Sequence, residues 1–193
     1  RISLQDVIQN AHPTVLIGVS GQAGEFSEHI IREMARHVER PIIFPLSNPT
    51  SRSEAAPADL LKWTNDRAII GTGSPFGAVE KNGKIWRVDQ TNNCYIFPGM
   101  GLGLIAVKSR RVTDKMFMHA AQALAECSPV HINPEDNLLP PLRDIRKVSL
   151  RVAVAVAEEA LNAGLANFTP PGDLEKYLEN YMWKPEYLPY VNF

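Results

Sequence analysis

Three short apolar runs, "TVLIGVS" from Thr14, "PIIFPLS" from Pro41 and "RAIIGTG" from Arg67, alternate with two helical patterns. The first is a continuous β-branched run, as in a strand buried on both faces. In "GQAGEFSEHIIREMARHVER", Gly21 and Gly24 make a turn and Ser27 stands at a helix cap. Ile30, Ile31, Met34 and Val38 then share one helical face, and Phe26 and Ile31 have the spacing of a hydrophobic staple. "PADLLKW" starts a second helix with Pro57 in its first turn. Strand, helix, strand, helix, strand with short loops predicts a parallel α/β sheet with right-handed crossovers.

In such sheets ligands bind beyond the carboxyl ends of the strands. The three ends here carry "SGQAG", "SNPTS" and "TGSPFG". All are small and polar, with glycine or proline, so this edge is where a site is expected.

The flanks are mainly helical. "ISLQDVIQNAHP" reads as a helix capped by Ser3 and Asp6, with Ile2 and Val7 as a staple and His12-Pro13 as the stop. "VEKNGKIWRV" reads as a hairpin turning at Asn82-Gly83. "LGLIAVKSRR" and "TDKMFMHAAQALAEC" are expected helices, the second capped by Thr113. A long helix is expected from about Asp144 to Ala163, stopped by Gly164. Its "VAVAVA" also fits a strand, but length, alanine content and the terminal glycine favour helix. From Asn167 the chain is rich in proline and aromatics and predicts a short helix inside an extended tail.

With 193 residues, 45% of them hydrophobic and 21% charged, the chain can bury one large core or one and a half small ones. A formal net charge of -1 gives no support to nucleic-acid binding by overall charge. Cys94 and Cys127 form no CxxC pair or zinc spacing, which predicts reduced thiols and a cytoplasmic setting. No apolar run reaches membrane-spanning length, and no signal-peptide pattern opens the chain. It opens on Arg1 and enters a helix almost at once, as a piece of a longer polypeptide or a processed product would.

Asn48 stands out at the end of the second run, directly before Pro49. Its carboxamide offers donors and an acceptor without charge, suited to a carboxylate or a second amide. An Asx-turn ahead of proline is the competing explanation. "TGSPFG" could present backbone N–H groups to a ribose or phosphate, or be an ordinary loop. Asn92 and Asn93 precede "CYIFPGMGLG", whose Gly99, Gly101 and Gly103 lack the dinucleotide spacing and suit close helix packing. Cys94 has no histidine placed to activate it and reads as a buried thiol. The histidines are scattered, with no metal-ligand spacing.

Taken together, "RPIIFPLSNPTSRSEAAPADLLKWTNDRAIIGTGSPFGAV" and "TNNCYIFPGMGLG" resemble the carboxyl-terminal part of malic enzymes. "PTVLIGVSGQAGEF" and "LPPLRDIRKVSLRVAVAVAEEAL" fit the same family, so the resemblance covers nearly the whole chain. It implies a partial Rossmann-like parallel sheet with helices, followed by a helical region and an extended tail. Residues 1–93 would close the NAD(P)-binding domain, 94–165 would pack on a substrate domain outside this chain, and 166–193 would form the tail. The implied reaction is oxidative decarboxylation of L-malate to pyruvate and CO2, with NAD or NADP and with Mg2+ or Mn2+. Asn48, Asn92 and Asn93 match the family's substrate-binding amides; Ser20, Gly21, Asn48 and Asn93 would meet the cofactor. The family's lysine base, tyrosine acid, acidic metal ligands and glycine fingerprint match nothing here. The isolated chain is therefore expected to be inactive, to expose apolar surface and to belong to a homo-oligomer. The alternative is a non-catalytic nucleotide-binding or assembly module.

Overall fold

The structure, a computed structural model, describes residues 2–81, 83–134 and 136–187. It contains two compact units, Arg1–Asn92 with Pro129–Leu139, and Asn93–Ser128 with Pro140–Phe193. The first unit thus takes in a segment that the sequence grouped with the later helices.

In the first unit, β1 (Val15–Gly18), β2 (Ile42–Pro45), β3 (Ile69–Thr72) and β6 (Asp89–Gln90) form one sheet in the order β1-β2-β3-β6. All pairings are parallel, with Val15 beside Ile42, Ile42 beside Ile69 and Gly71 beside Asp89. Helices α1 (Leu4–Ala11), α2 (Glu28–His37) and α3 (Pro57–Trp63) occupy the positions the alternation predicts. Ile8, Leu16, Phe26, Ile31, Met34, Ile43, Ala55, Leu60 and Ala68 make one core cluster between helices and sheet. An antiparallel pair, β4 (Val79–Lys81) and β5 (Lys84–Trp86), stands apart from the sheet. Its expected turn residue Asn82 lies outside the described residues; Gly83 has φ +74°.

Local chemistry explains most of these boundaries. Ser3 and Asp6 cap α1 reciprocally, as a capping box requires. Phe26 and Ile31 are both buried, as staple spacing demands. Three expectations fail. Ile2 is 80% exposed, so the α1 staple does not close. Ser27 occupies the cap position of α2, but its side chain makes no capping bond. β1 is not covered on both faces: Leu16 is buried, whereas Val15, Ile17 and Val19 are exposed. β1 is an edge of the sheet among the described residues.

β6 was not expected at all. Two residues, one of them aspartate, carry no strand signal; tertiary pairing with β3 supplies the order that propensity does not.

The second unit is helical: α4 (Phe97–Ala106), α5 (Asp114–Glu126), α6 (Ile145–Asn162) and α7 (Leu174–Tyr181). α4 begins earlier than the sequence suggests and contains the three glycines. A Cβ on Gly99 would lie 2.5 Å from Ser149 O, and one on Gly103 2.5 Å from Ala153 O, so these two glycines let α4 approach α6 closely. On α6, Val148, Val152, Ala153, Val156, Ala157 and Ala160 are buried, an apolar stripe at helical spacing. Helix is therefore the correct choice for "VAVAVA". Gly164 ends this helix region with φ +65°. Thr113 caps α5 by accepting from Met116 N. The tail forms α7, capped by Asp173, with Leu178 buried; residues 188–193 are outside the described part.

Candidate cofactor rim

Because all four strands run parallel, their carboxyl ends meet at one edge. Past β1 come Ser20 and Gly21, past β2 Ser47 and Asn48, past β3 Gly73 and Ser74, and past β6 Thr91 and Asn92. The ladder continues beyond the strands: Leu46 N donates to Gly18 O (2.8 Å) and Thr91 N to Thr72 O (2.8 Å).

Asn48 is exposed and follows the fully paired end of β2. Its side chain does not form the competing Asx-turn. Nδ2 donates to Leu46 O at 3.4 Å, and Oδ1 accepts from the Ser74 hydroxyl. Reversing the amide would set two carbonyl oxygens against each other at Leu46, so the network assigns Oδ1 to the Ser74 side. The Asn48-Pro49 peptide is cis. Gly73 makes the Ser74 contact possible: a Cβ there would fall 2.0 Å from Leu46 O. Thr72 Oγ1 donates to Ser74 O (2.8 Å) and holds the same turn.

Beneath the rim lies Glu54, completely buried. Oε1 accepts from Ser20 N (2.8 Å), Ser20 Oγ (2.8 Å) and Ser47 Oγ, while Oε2 accepts from Ser47 N (3.3 Å). Ser47 Oγ in turn accepts from Gly21 N (2.8 Å), and Ser20 Oγ from Gln22 N (3.1 Å). The backbone carbonyl of Glu54 accepts from Phe26 N (3.1 Å). Burial opposes ionisation, but the bonds from Ser47 and Ser20 outweigh it and hold the carboxyl below its usual value. Gly18 provides the space, since a Cβ there would lie 2.6 Å from the Glu54 carboxyl carbon.

Of the residues the sequence singled out, Ser20 and Gly21 are joined by this network, and Asn48 follows its member Ser47 in the chain. The Ser20 N–H and O–H both point at Glu54, so these donors are already engaged. Asn92 stands two residues past β6 and Asn93 begins the second unit; both are exposed. Glu54 and Ser74 were missed. The available signal was a pair of serines, each just past a predicted strand, with one acidic residue inside the otherwise small, apolar "SEAAP".

Asp89 is a second buried carboxylate. It accepts from Asn137 Nδ2 (2.8 Å) and Leu139 N (3.1 Å), tying Pro129–Leu139 to the sheet. Here burial wins over those bonds and pushes the carboxyl up.

Among the described residues, no group of three or more His, Cys, Asp or Glu side chains is placed to hold a metal ion. A divalent cation therefore has no fitting ligand set there. Nor, among the described residues, is any helix long and apolar enough to cross a membrane.

A parallel α/β sheet with a polar, glycine-bearing rim at its carboxyl edge is the arrangement of the open α/β class, Rossmann-like folds among them, which binds ligands at that edge. The family described as malic enzyme, NAD binding domain, matches residues 1–161, and the chain belongs to it. It is 54% identical over 190 residues to an NAD-dependent malic enzyme of Aliivibrio fischeri, covering 98% of this chain and 34% of that protein. It is 53% identical over 189 residues to an NAD-dependent malic enzyme of Acinetobacter baylyi, covering 98% and 33%. The fold matches the malic enzyme of Entamoeba histolytica with a TM-score of 0.73 at 26% identity, covering 93% of this chain and 33% of that one. For the malic enzyme from Pyrococcus horikoshii the TM-score is 0.67 at 28% identity, covering 92% and 36%. The chain thus spans about a third of the length of the curated relatives it matches.

Proposed function

We propose that this chain supplies the cofactor-side rim of a malic enzyme that converts L-malate to pyruvate and CO2 with NAD as hydride acceptor. Family membership and the names of its relatives support the cofactor; the oriented amide of Asn48 carries the site assignment. Its oxygen is engaged by Ser74, so what it offers outward is an N–H. That donor suits a malate carboxylate or the carbonyl oxygen of the nicotinamide carboxamide. Being uncharged, it keeps this role across the physiological pH range. Asn92 and Asn93 are proposed as further ligand amides on the family's pattern alone. Ser20 and Gly21 shape the cofactor side through their backbone rather than through the Ser20 donors.

NAD, held at the rim by Asn48 and the Ser20–Gly21 turn, would supply the hydride acceptor for C2 of malate, while the C2 hydroxyl proton would go to a base. The resulting β-keto acid loses CO2, and the enolate left behind is protonated at carbon. This chain's own contribution is to bind and orient. The proton-transfer groups and a Mg2+ or Mn2+ site belong to the remaining two thirds of the enzyme, and the isolated chain is inactive. The same reading includes NADP as an alternative acceptor, a cytoplasmic location and a homo-oligomeric assembly.

The test uses the complete polypeptide. Malate-dependent reduction of NAD, followed as NADH, is measured with Mn2+ for wild type and Asn48→Ala. A hydrogen bond to a charged partner contributes about 1.5–3 kcal/mol, so kcat/KM should fall about 10- to 100-fold. A wild-type rate in Asn48→Ala would overturn the site assignment. NAD binding without malate turnover in the complete protein would favour the non-catalytic module instead.

A further inference from the structure

We infer that Glu54 is a positioning residue for cofactor binding: its buried carboxylate clamps the Ser20–Phe26 loop to the Ser47–Asn48 turn and so sets the shape of the NAD rim. This deepens the proposed malic enzyme reading and rests on it.

The geometry is specific to an acceptor-only group. Four donors, the N–H and O–H of Ser20 and of Ser47, converge on two oxygens. A carboxylate has about four lone-pair sites and no hydrogen. Glutamine has the same shape but must place an NH2 against at least one of these donors. Ser47 Oγ passes the constraint to Gly21 N, and Ser20 Oγ passes it to Gln22 N. The far end of the loop is held too, because Phe26 N donates to the Glu54 carbonyl (3.1 Å). One residue therefore fixes the β1–α2 loop at both ends. Ser47 adjoins Asn48, so the same clamp sets where the proposed ligand amide starts. None of the four donors faces outward, so Glu54 acts through the loops and not on the ligand.

Glu54→Gln, Glu54→Asp and Ser47→Ala are compared with wild type in the complete enzyme. Thermal melts first fix an assay temperature at which each variant is folded. KM for NAD and kcat are then determined separately. The expected result is a rise of about tenfold or more in KM for NAD in Glu54→Gln, with a smaller change in kcat. Glu54→Asp, which keeps the acceptor-only group, should recover part of that loss, and Ser47→Ala should show an intermediate KM. A folded Glu54→Gln with wild-type KM for NAD overturns the inference. If Glu54→Gln does not fold, Ser47→Ala decides: a raised KM supports the clamp and an unchanged KM overturns it. An inactive wild type would instead defeat the malic enzyme reading, and the inference with it. An active wild type with unchanged variants defeats only the inference.

Discussion

At the scale of single residues, small atoms decide whether the rim exists. Gly73 has no room for a Cβ, because the nearest atom is a backbone oxygen that has nowhere to move. Gly73→Ala should cost about 1–3 kcal/mol through overpacking, read as a lower denaturant midpoint. It should also pull Ser74 away from Asn48, so NAD binding should weaken in protein that is still folded. Glu54 makes a distinct prediction in pH. Its folded carboxyl lies below the ordinary value of 4.5, so its stabilisation is complete above that pH and is lost as pH falls through the depressed folded value. Glu54→Gln should be less stable near neutrality, by about 1.5–3 kcal/mol for one lost charged hydrogen bond, and its acid unfolding should be shallower. Asp89 has the opposite sign. Its raised carboxyl costs stability above its folded value, and acidification through that value relieves the cost. A pH titration of unfolding on Glu54→Gln and on Asp89→Asn separates the two.

At the scale of elements, the glycines of α4 offer a contrast of sign. Gly103 abuts the backbone of α6, whereas Gly101 in the same helix faces open space. Alanine gains about 1 kcal/mol over glycine in a helix interior, so Gly101→Ala should stabilise the helical unit by up to that amount. At Gly103 the same gain is outweighed by a clash at 2.5 Å with Ala153 O, and Gly103→Ala should destabilise by about 1–3 kcal/mol. Helix content during chemical denaturation gives both values; equal effects would show that close approach does not set this packing. The small-residue pattern was legible in the sequence, because glycines and alanines at helical spacing state how near two helices come. The α4 start was not legible, since Pro98 and the aromatic residues before it break no local rule for either state.

At the scale of the molecule, the bare face of β1 sets solution behaviour. Val15 and Ile17 are 42% and 57% exposed on an edge strand, and Val19, just past its end, is 77% exposed. Covering a valine or isoleucine contributes about 1.5–3 kcal/mol each, which is a strong drive to associate. The isolated chain should self-associate with rising concentration in sedimentation equilibrium, and Ile17→Lys should shift it towards monomer. A monomeric wild type at high concentration would contradict this.

The alternation of apolar runs and helices determined the parallel sheet, because only a right-handed crossover joins such elements over short loops. It also placed Asn48, Ser20 and Gly21 at the carboxyl edge, since strand direction alone decides which end a loop occupies. Tertiary structure decided the rest. Glu54 meets Ser20 across 34 residues, and Ser74 meets Asn48 across 26, distances over which local pattern carries no information. β6 exists because β3 offers it a partner. The open face of β1 is likewise invisible in its composition, because a β-branched run records the need for cover and not whether the cover is there.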